Sequence, residues 1–478
     1  MVQRTTAHFL LRLTKFLEYS NMSNNLLTQT FIEISNLVRG GKLSAHEVNS
    51  FYAERSRKHN PALNAYVTLV EGIDDKNLQI AIKDNFCTKG IRTTASSKVL
   101  ENFIAPYEST VTQKLLSAGI SPLGKTNMDA WAHGSSTETS DFGPSKNPFD
   151  ITRVPGGSSG GSAVAVAAGL SMAAIGSETA GSVRGPASWC GIVGMKPTYG
   201  RVSRYGVIAM GSSLDSPGPL TKTVDDAAYL LSIIAGKDPY DATTNQAPTE
   251  DYLTEAHRGR KVRIGVADIY FNGVEPSVKA SVEQAIKKLE KLGHSVHVVK
   301  LMDPKYSISD YTIIQRAEVS SNLGRYDGVR YGNGREAMGS EAKKRIMLGT
   351  YTLAHGYYDA YYKRAQNVRT LIIDDFKRVF DEVDVIVAPT MPMTALKLGE
   401  FEKYPFFGEV MDVILEPSSL AGLPAISMPC GVDAQGLPIG MQIMGPHLAE
   451  SRILDLAYQY EQETKSYEIV QKNILKWK

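Results

Sequence analysis

The chain has 478 residues, 42% of them hydrophobic, so it can bury a large core, and length alone allows two or three domains. Its 52 Lys and Arg against 50 Asp and Glu leave a net charge of +2, too small to mark an autonomous nucleic-acid binder. Cys87, Cys190 and Cys430 are too dispersed for a metal motif and odd in number, which predicts a reduced compartment. No apolar run reaches the roughly 18 residues of a membrane-spanning helix.

At the N-terminus, residues 1–21 carry Arg4, Arg12 and Lys15 against the single acid Glu18, with apolar positions compatible with an amphipathic helix. Two readings stay open: a mitochondrial targeting segment, or an extension ahead of a true start at Met22 in a bacterial cytoplasmic protein, the compartment expected here. Ser44–Glu47 (SAHE) is a capping box that predicts a helix through the 50s. LQIAIKDNF predicts a strand, TVTQKLLSAG a helix, and ISPLGKTN a strand running into a loop. Further on, VRIGVA (262–267), SVKASVEQAIKKLEKLG (277–293) and SVHVVKL (295–301) predict a βαβ unit with a right-handed crossover. Residues 310–380 read as largely helical and rich in tyrosine, VDVIVAPT returns to a sheet, and ESRILDLAYQYEQET reads as the final helix. Helices and strands thus alternate in an α/β manner, and their interleaving argues for one domain.

The most informative stretch is Val154–Pro197, where two glycine-serine loops flank one small-residue helix, AVAVAAGL. A run such as GGSSGG costs conformational entropy, so it implies backbone at positive φ or in close approach to a ligand. Ala163 and Val164 follow GGSSGGS where a phosphate loop would need Gly-Lys-Ser/Thr, which excludes a nucleotide cradle. A dinucleotide fingerprint, with its acidic residue about 20 positions after the glycines, fits poorly: a helix is present, but Glu178 sits at the start of a second glycine loop. A flexible linker is contradicted by the close-packing helix between the loops. What remains is an acyl-transfer site, with serine hydroxyls beside converging backbone N–H groups.

A nucleophilic serine needs a base, and the glycine loops contain no histidine. Of the nine histidines only His133, in MDAWAHGSSTETSDFG, lies near a patterned segment. A lysine serves if burial keeps it neutral. In LQIAIKDNF the strand period of two places Lys83 on the face of Ala81 and Asn85, away from Asp84, whose carboxylate would hold it charged. The competing reading of Lys83 is a solvated lysine on an edge strand.

Lys83 in AIKDN, Ser158 in GGSSGGS and Ser182 in ETAGSVRGPA resemble, in order and spacing, the Ser-cisSer-Lys triad of the amidase signature family. The resemblance implies an α/β fold with a mixed central sheet of about eleven strands covered by helices. It also implies one amidase domain over residues 22–478, its signature core at about 78–235. Ser182 would be the nucleophile, Ser158 the proton relay and neutral Lys83 the terminal base. The amides of Thr179, Ala180, Gly181 and Ser182 would form the oxyanion hole. Within the family, the chain is similar to the glutaminase subunits of tRNA-dependent amidotransferases. GKTNMDAWAHGSSTETSDFGPSKNPFD, KPTYGRVSRYGVIAMGSSLDSPGPL, AEVSSNLGRYDGVRYG, KKRIMLGTYTLAHGYYDAYYKRAQNVRTLI and LAGLPAISMPCG carry that similarity. It implies that glutamine is hydrolysed to supply ammonia for converting Glu-tRNA(Gln) to Gln-tRNA(Gln), Asp-tRNA(Asn) to Asn-tRNA(Asn), or both. B and C subunits would complete a heterotrimer, with ATP and Mg²⁺ used by the B subunit, tRNA held mainly there, and no cofactor or metal on this chain. Arg345 would bind the α-carboxylate of glutamine, Asp412 its α-amino group, and Ser135 would join them.

Three departures stand out. Glu178 and Ala180 replace the Asp and the first Gly of the usual Asp-Thr-Gly-Gly-Ser-Ile-Arg-Gln-Pro, and the segment between Val70 and Leu78 is short. Ala180 adds a Cβ to the oxyanion loop, which would be strained if φ there were positive. That residue motivates the alternative of a non-catalytic assembly protein. A stand-alone amidase is the other alternative, opposed by Arg345, Asp412 and NLGRYDGVRYG.

Overall fold

A computed structural model describes residues 26–330, 332–404 and 410–477. Residues 1–21, read above as a targeting segment or an extension, lie outside it. Eleven strands form one sheet: β1 Tyr66–Leu69, β2 Leu78–Lys83, β3 Ile120–Thr126, β4 Ala173–Glu178, β5 Val193–Lys196, β6 Ser216–Thr221, β7 Arg263–Val266, β8 Ser295–Val298, β9 Val385–Pro389, β10 Ala425–Val432 and β11 Pro438–Met444. Their order across the sheet is β1-β3-β2-β4-β6-β5-β10-β11-β9-β7-β8. β2 runs parallel to β3 and β4, and β7 parallel to β8 and β9, while the pairs between these two groups are antiparallel. The mixed eleven-stranded α/β architecture implied by the family resemblance is the one observed.

β2 and β4 are buried on both faces, which is why LQIAIK and AAIGSE lack polar alternation. Lys83 therefore ends an interior strand, and the solvated edge reading does not apply. The helix Gly160–Ala167, GGSAVAVA, is buried along its whole length and packs on β4, its small side chains allowing the close approach. Pro276–Lys291 turns Val278, Val282, Ala285, Ile286 and Leu289 onto β10 and β11, the helical spacing read from sequence. Ser44 caps Ala45–Leu63 through a capping box with Glu47. The tyrosine-rich region folds into Lys305–Leu323, Ser340–Leu353 and Tyr362–Glu382, with the first of these packing against the other two. Glu450–Thr464 matches its predicted span but is not the final helix, because Glu468–Ile474 follows and buries Val470 and Ile474. The second strand of the βαβ unit is shorter than expected and ends at Val298.

One hydrophobic core runs the length of the sheet, and a smaller cluster of Val154, Trp189, Met391, Ala395, Leu396, Phe401, Met411 and Leu415 sits beside it. The three cysteines are free thiols. Among the described residues no helix is long and apolar enough to cross a membrane.

Candidate active site

Parallel strands β2 and β4 end side by side, bringing Lys83 next to the loop that follows β4. Lys83 is fully buried, and its Nζ donates to Ser158 Oγ at 2.8 Å and to the Ser177 carbonyl at 2.9 Å. Burial pushes its pKa down to about 7, against the opposing pull of Asp129, Asp215 and Glu178. Near neutrality a sizeable fraction is therefore the free amine, which accepts a proton. Asp84 points the other way, as the strand period predicts: its carboxylate accepts from Thr94 N and Ser96 N and lies 4.0 Å from Lys125 Nζ.

The GGSSGG turn presents Ser158 to that amine. Gly156 has φ +86°, the Gly157–Ser158 peptide is cis, and a methyl on Gly157 would overlap Asp129 Oδ2. Only glycine fits there. The neighbouring Ser159 N–H donates to the Ser182 carbonyl at 3.1 Å, which ties the two loops together. Among the described residues no hydrogen bond joins the hydroxyls of Ser158 and Ser182. In a resting site such contacts often tighten only with substrate present.

The Ser182 loop is fixed by its carbonyls. Ala180 O accepts from Arg184 Nη2 at 3.0 Å and from Ser419 Oγ at 2.6 Å, and Gly181 O accepts from Gly185 N at 2.7 Å. Among the described residues the amides of Ala180, Gly181 and Ser182 donate to no other group, which leaves them free to hold an oxyanion. Thr179 contributes its hydroxyl to Asp215 at 2.6 Å. Ala180 is absent from the residues with positive φ, so its extra Cβ is unstrained and packs into the core.

Glu178 explains itself through reach. One oxygen accepts from the Val183 and Arg184 amides, both at 3.0 Å, at the start of the helix Arg184–Trp189. The other accepts from Arg184 Nε at 2.8 Å and Nη2 at 2.6 Å. This fully buried pair is completed by Ser418 and Gln442 on Arg184 Nη1, as a buried ion pair requires.

Beside the loop lies a polar cluster. A methyl on Gly181 would sit 2.7 Å from Asp412 Oδ1, which places that carboxylate against the Ser182 turn. Ser135 Oγ donates to Asp412 Oδ2. Arg345 is buried on the helix Ser340–Leu353 rather than lying on its surface, and its Nε donates to Glu341 one turn back at 2.7 Å. Burial first, and then the charges of Arg345 and Arg316, push the pKa of His133, two residues before Ser135, well below the usual histidine range. Neutral and buried, His133 lies outside the hydrogen-bonded chain of Lys83 and Ser158.

The structure thus gathers Lys83, Ser158 and Ser182, the Thr179–Gly181 turn, and the Ser135–Asp412 pair into one locality. Sequence reasoning missed Asp129 and Asp215, the two carboxylates that act on Lys83 from other segments. Neither carries a signal in the sequence, because only the fold brings them towards the amine. Chemically, the arrangement offers a serine nucleophile, a serine relay, a neutral amine and unpaired amides, which together suit attack on an amide carbonyl.

The Amidase family model matches residues 47–454. The A subunit of glutamyl-tRNA(Gln) amidotransferase of Caldanaerobacter subterraneus subsp. tengcongensis is 47% identical over 475 residues, spanning 92% of this chain and 97% of that protein. The corresponding protein of Halothermothrix orenii is 49% identical over 461 residues, with 91% and 96% covered. The crystal structure of the same A subunit from Thermotoga maritima aligns with a TM-score of 0.81 at 42% identity, covering 92% of this chain and 95% of that one. A 6-aminohexanoate cyclic dimer hydrolase aligns with a TM-score of 0.83 at 25% identity, covering 91% and 97%.

Proposed function

This chain belongs to the amidase family, and on that premise we propose that it is the glutamine-hydrolysing A subunit of a tRNA-dependent amidotransferase. The observation that carries the chemistry is the fully buried lysine amine 2.8 Å from a serine hydroxyl, beside a second serine on a loop with unpaired amides. The observation that narrows the substrate is the high identity, over nine-tenths of the chain, to proteins that carry that name.

In this reading Lys83 accepts the Ser158 proton as Ser158 Oγ takes the proton of Ser182, and Ser182 Oγ attacks the carboxamide carbon of glutamine. The carbonyl oxygen becomes an oxyanion held by the amides of the Thr179–Ser182 turn. Collapse breaks the C–N bond, and the proton stored on Lys83 returns through Ser158 to the departing nitrogen, which leaves as ammonia. A γ-glutamyl ester remains on Ser182. Water, deprotonated by the same relay, attacks that ester and releases glutamate with the Ser182 hydroxyl restored. Arg345 receives the α-carboxylate of glutamine, and Asp412, oriented by Ser135, receives its ammonium.

Ammonia serves a partner. B and C subunits would complete a heterotrimer in the bacterial cytoplasm. The B subunit would use ATP and Mg²⁺ to activate the tRNA-bound glutamate or aspartate, and it would hold most of the tRNA. This chain would need no cofactor of its own. Purification with and without candidate partners, followed by an assay of glutamine hydrolysis and of amidated tRNA, tests the proposal. Glutamate release that couples to Gln-tRNA or Asn-tRNA formation only in the complex is expected, whereas hydrolysis of unrelated amides in preference to glutamine would refute it.

A further inference from the structure

The charges of three carboxylates, Asp129, Asp215 and Glu178, act on the Lys83 amine, and their own partners differ. Glu178 is neutralised by Arg184 at 2.6 Å. Asp215 receives the Thr179 hydroxyl at 2.6 Å and the Met210 and Gly211 amides at 2.9 and 3.1 Å, with Arg204 also acting on it. Asp129 is fully buried and, among the described residues, receives only uncharged donors: Thr137 N at 2.8 Å, Thr139 N at 3.2 Å and Thr139 Oγ1 at 2.9 Å. Its Oδ2 rests against Gly157, so closely that a methyl there would overlap it, and its own N–H donates to the Ser158 carbonyl at 3.3 Å. Asp129 therefore lies against Gly157 and bonds to the carbonyl of the relay serine, whose hydroxyl accepts from Lys83.

We propose that Asp129 is a positioning residue: fixed against Gly157 and the Ser158 carbonyl, it places its charge to offset the Lys83 ammonium that forms in each half-reaction. The inference rests on the proposed function, because it presupposes Lys83 as the base. Burial raises the pKa of Asp129 itself, and the Thr137 and Thr139 donors together with Lys83 oppose that rise. Burial of the amine without this counter-charge would favour the neutral form of Lys83 still more. The counter-charge therefore keeps the proton affinity of Lys83 high enough to hold the proton until ammonia leaves.

The test is the pH profile of glutamine hydrolysis for the full chain with its partners, comparing wild type with Asp129→Asn, which keeps shape but removes charge. Activity rises with pH as Lys83 becomes the free amine, so losing the offsetting charge should move the midpoint of that rise down by about one pH unit or more. The rate on the alkaline plateau should fall as well, because a less basic amine holds the proton less firmly for the departing ammonia. A uniform loss at every pH with an unmoved midpoint, or an upward shift, would overturn the inference and leave Asp129 a structural brace. A wild-type profile with no limb that depends on Lys83 would refute the base assignment and this inference with it. Should Asp129→Asn fail to fold, Asp129→Glu, which keeps the charge and adds one methylene, decides: a midpoint close to that of the wild type is expected, and a midpoint moved down by about one pH unit or more would overturn the proposal.

Discussion

Ala180→Gly tests how the oxyanion loop carries its unusual alanine. With residue 180 outside the positive-φ region, glycine relieves no strain and only frees the unfolded chain, at a cost of about 0.4 to 1 kcal/mol. Ala180 is 3% exposed, so its methyl is removed from the core, adding about 0.8 kcal/mol. The variant should therefore be less stable by about 1 to 2 kcal/mol. Its kcat should not rise, because the carbonyl remains pinned by Arg184 and Ser419 and every amide stays in place. Urea unfolding followed by fluorescence is the assay, with Trp189, fully buried beside this region, as reporter. A lower midpoint at unchanged slope is expected. A more stable or faster Ala180→Gly enzyme would refute the geometry and revive the strained, non-catalytic reading.

The remaining predictions concern chemistry and recognition. With the Lys83 pKa near 7, kcat/KM for glutamine should fall as pH drops below about 7, because protonation removes the base, and Lys83→Arg, always protonated, should be nearly inactive at all pH values. Wild-type rates in Lys83→Arg would make the lysine structural. Arg345→Ala and Asp412→Ala should each raise KM for glutamine by an amount equivalent to roughly 2 to 5 kcal/mol, while a simple amide without α-groups is hydrolysed at near-normal rates. Equal losses on both substrates, measured by steady-state kinetics, would show that the two residues support the fold.

How much could be read from the chain divides along the line between local and distant interactions. The capping box at Ser44, the helical period of Pro276–Lys291 and the strand carrying Lys83 are local patterns, and each appears where its residues predicted it. The period of two also separated Lys83 from Asp84 correctly. Strand order was beyond reach, because neighbours such as β5 and β10 lie more than two hundred residues apart in the chain and pair through burial. The helix Glu468–Ile474 escaped notice because seven residues give too little periodicity, and burial of Val470 and Ile474 is what holds it. Ser158 and Ser182 were legible through glycine, which marks backbone under constraint. Asp129 and Asp215 were not, since ordinary aspartates on separate loops become meaningful only when the fold brings them to one amine. Glu178 was noticed as a departure, but its purpose depended on Arg184, Ser419 and the helix that Glu178 caps.

Mass spectrometry of the Ser182 peptide after rapid quenching of the partnered enzyme with glutamine is the most direct measurement. A γ-glutamyl adduct on Ser182 that forms within one turnover, and the loss of both adduct and ammonia release in Ser182→Ala with folding and partner binding intact, is the predicted result. An adduct on another serine, or turnover above a few per cent of wild type in Ser182→Ala, would contradict the assignment of this chain as a serine amidohydrolase acting through Ser182.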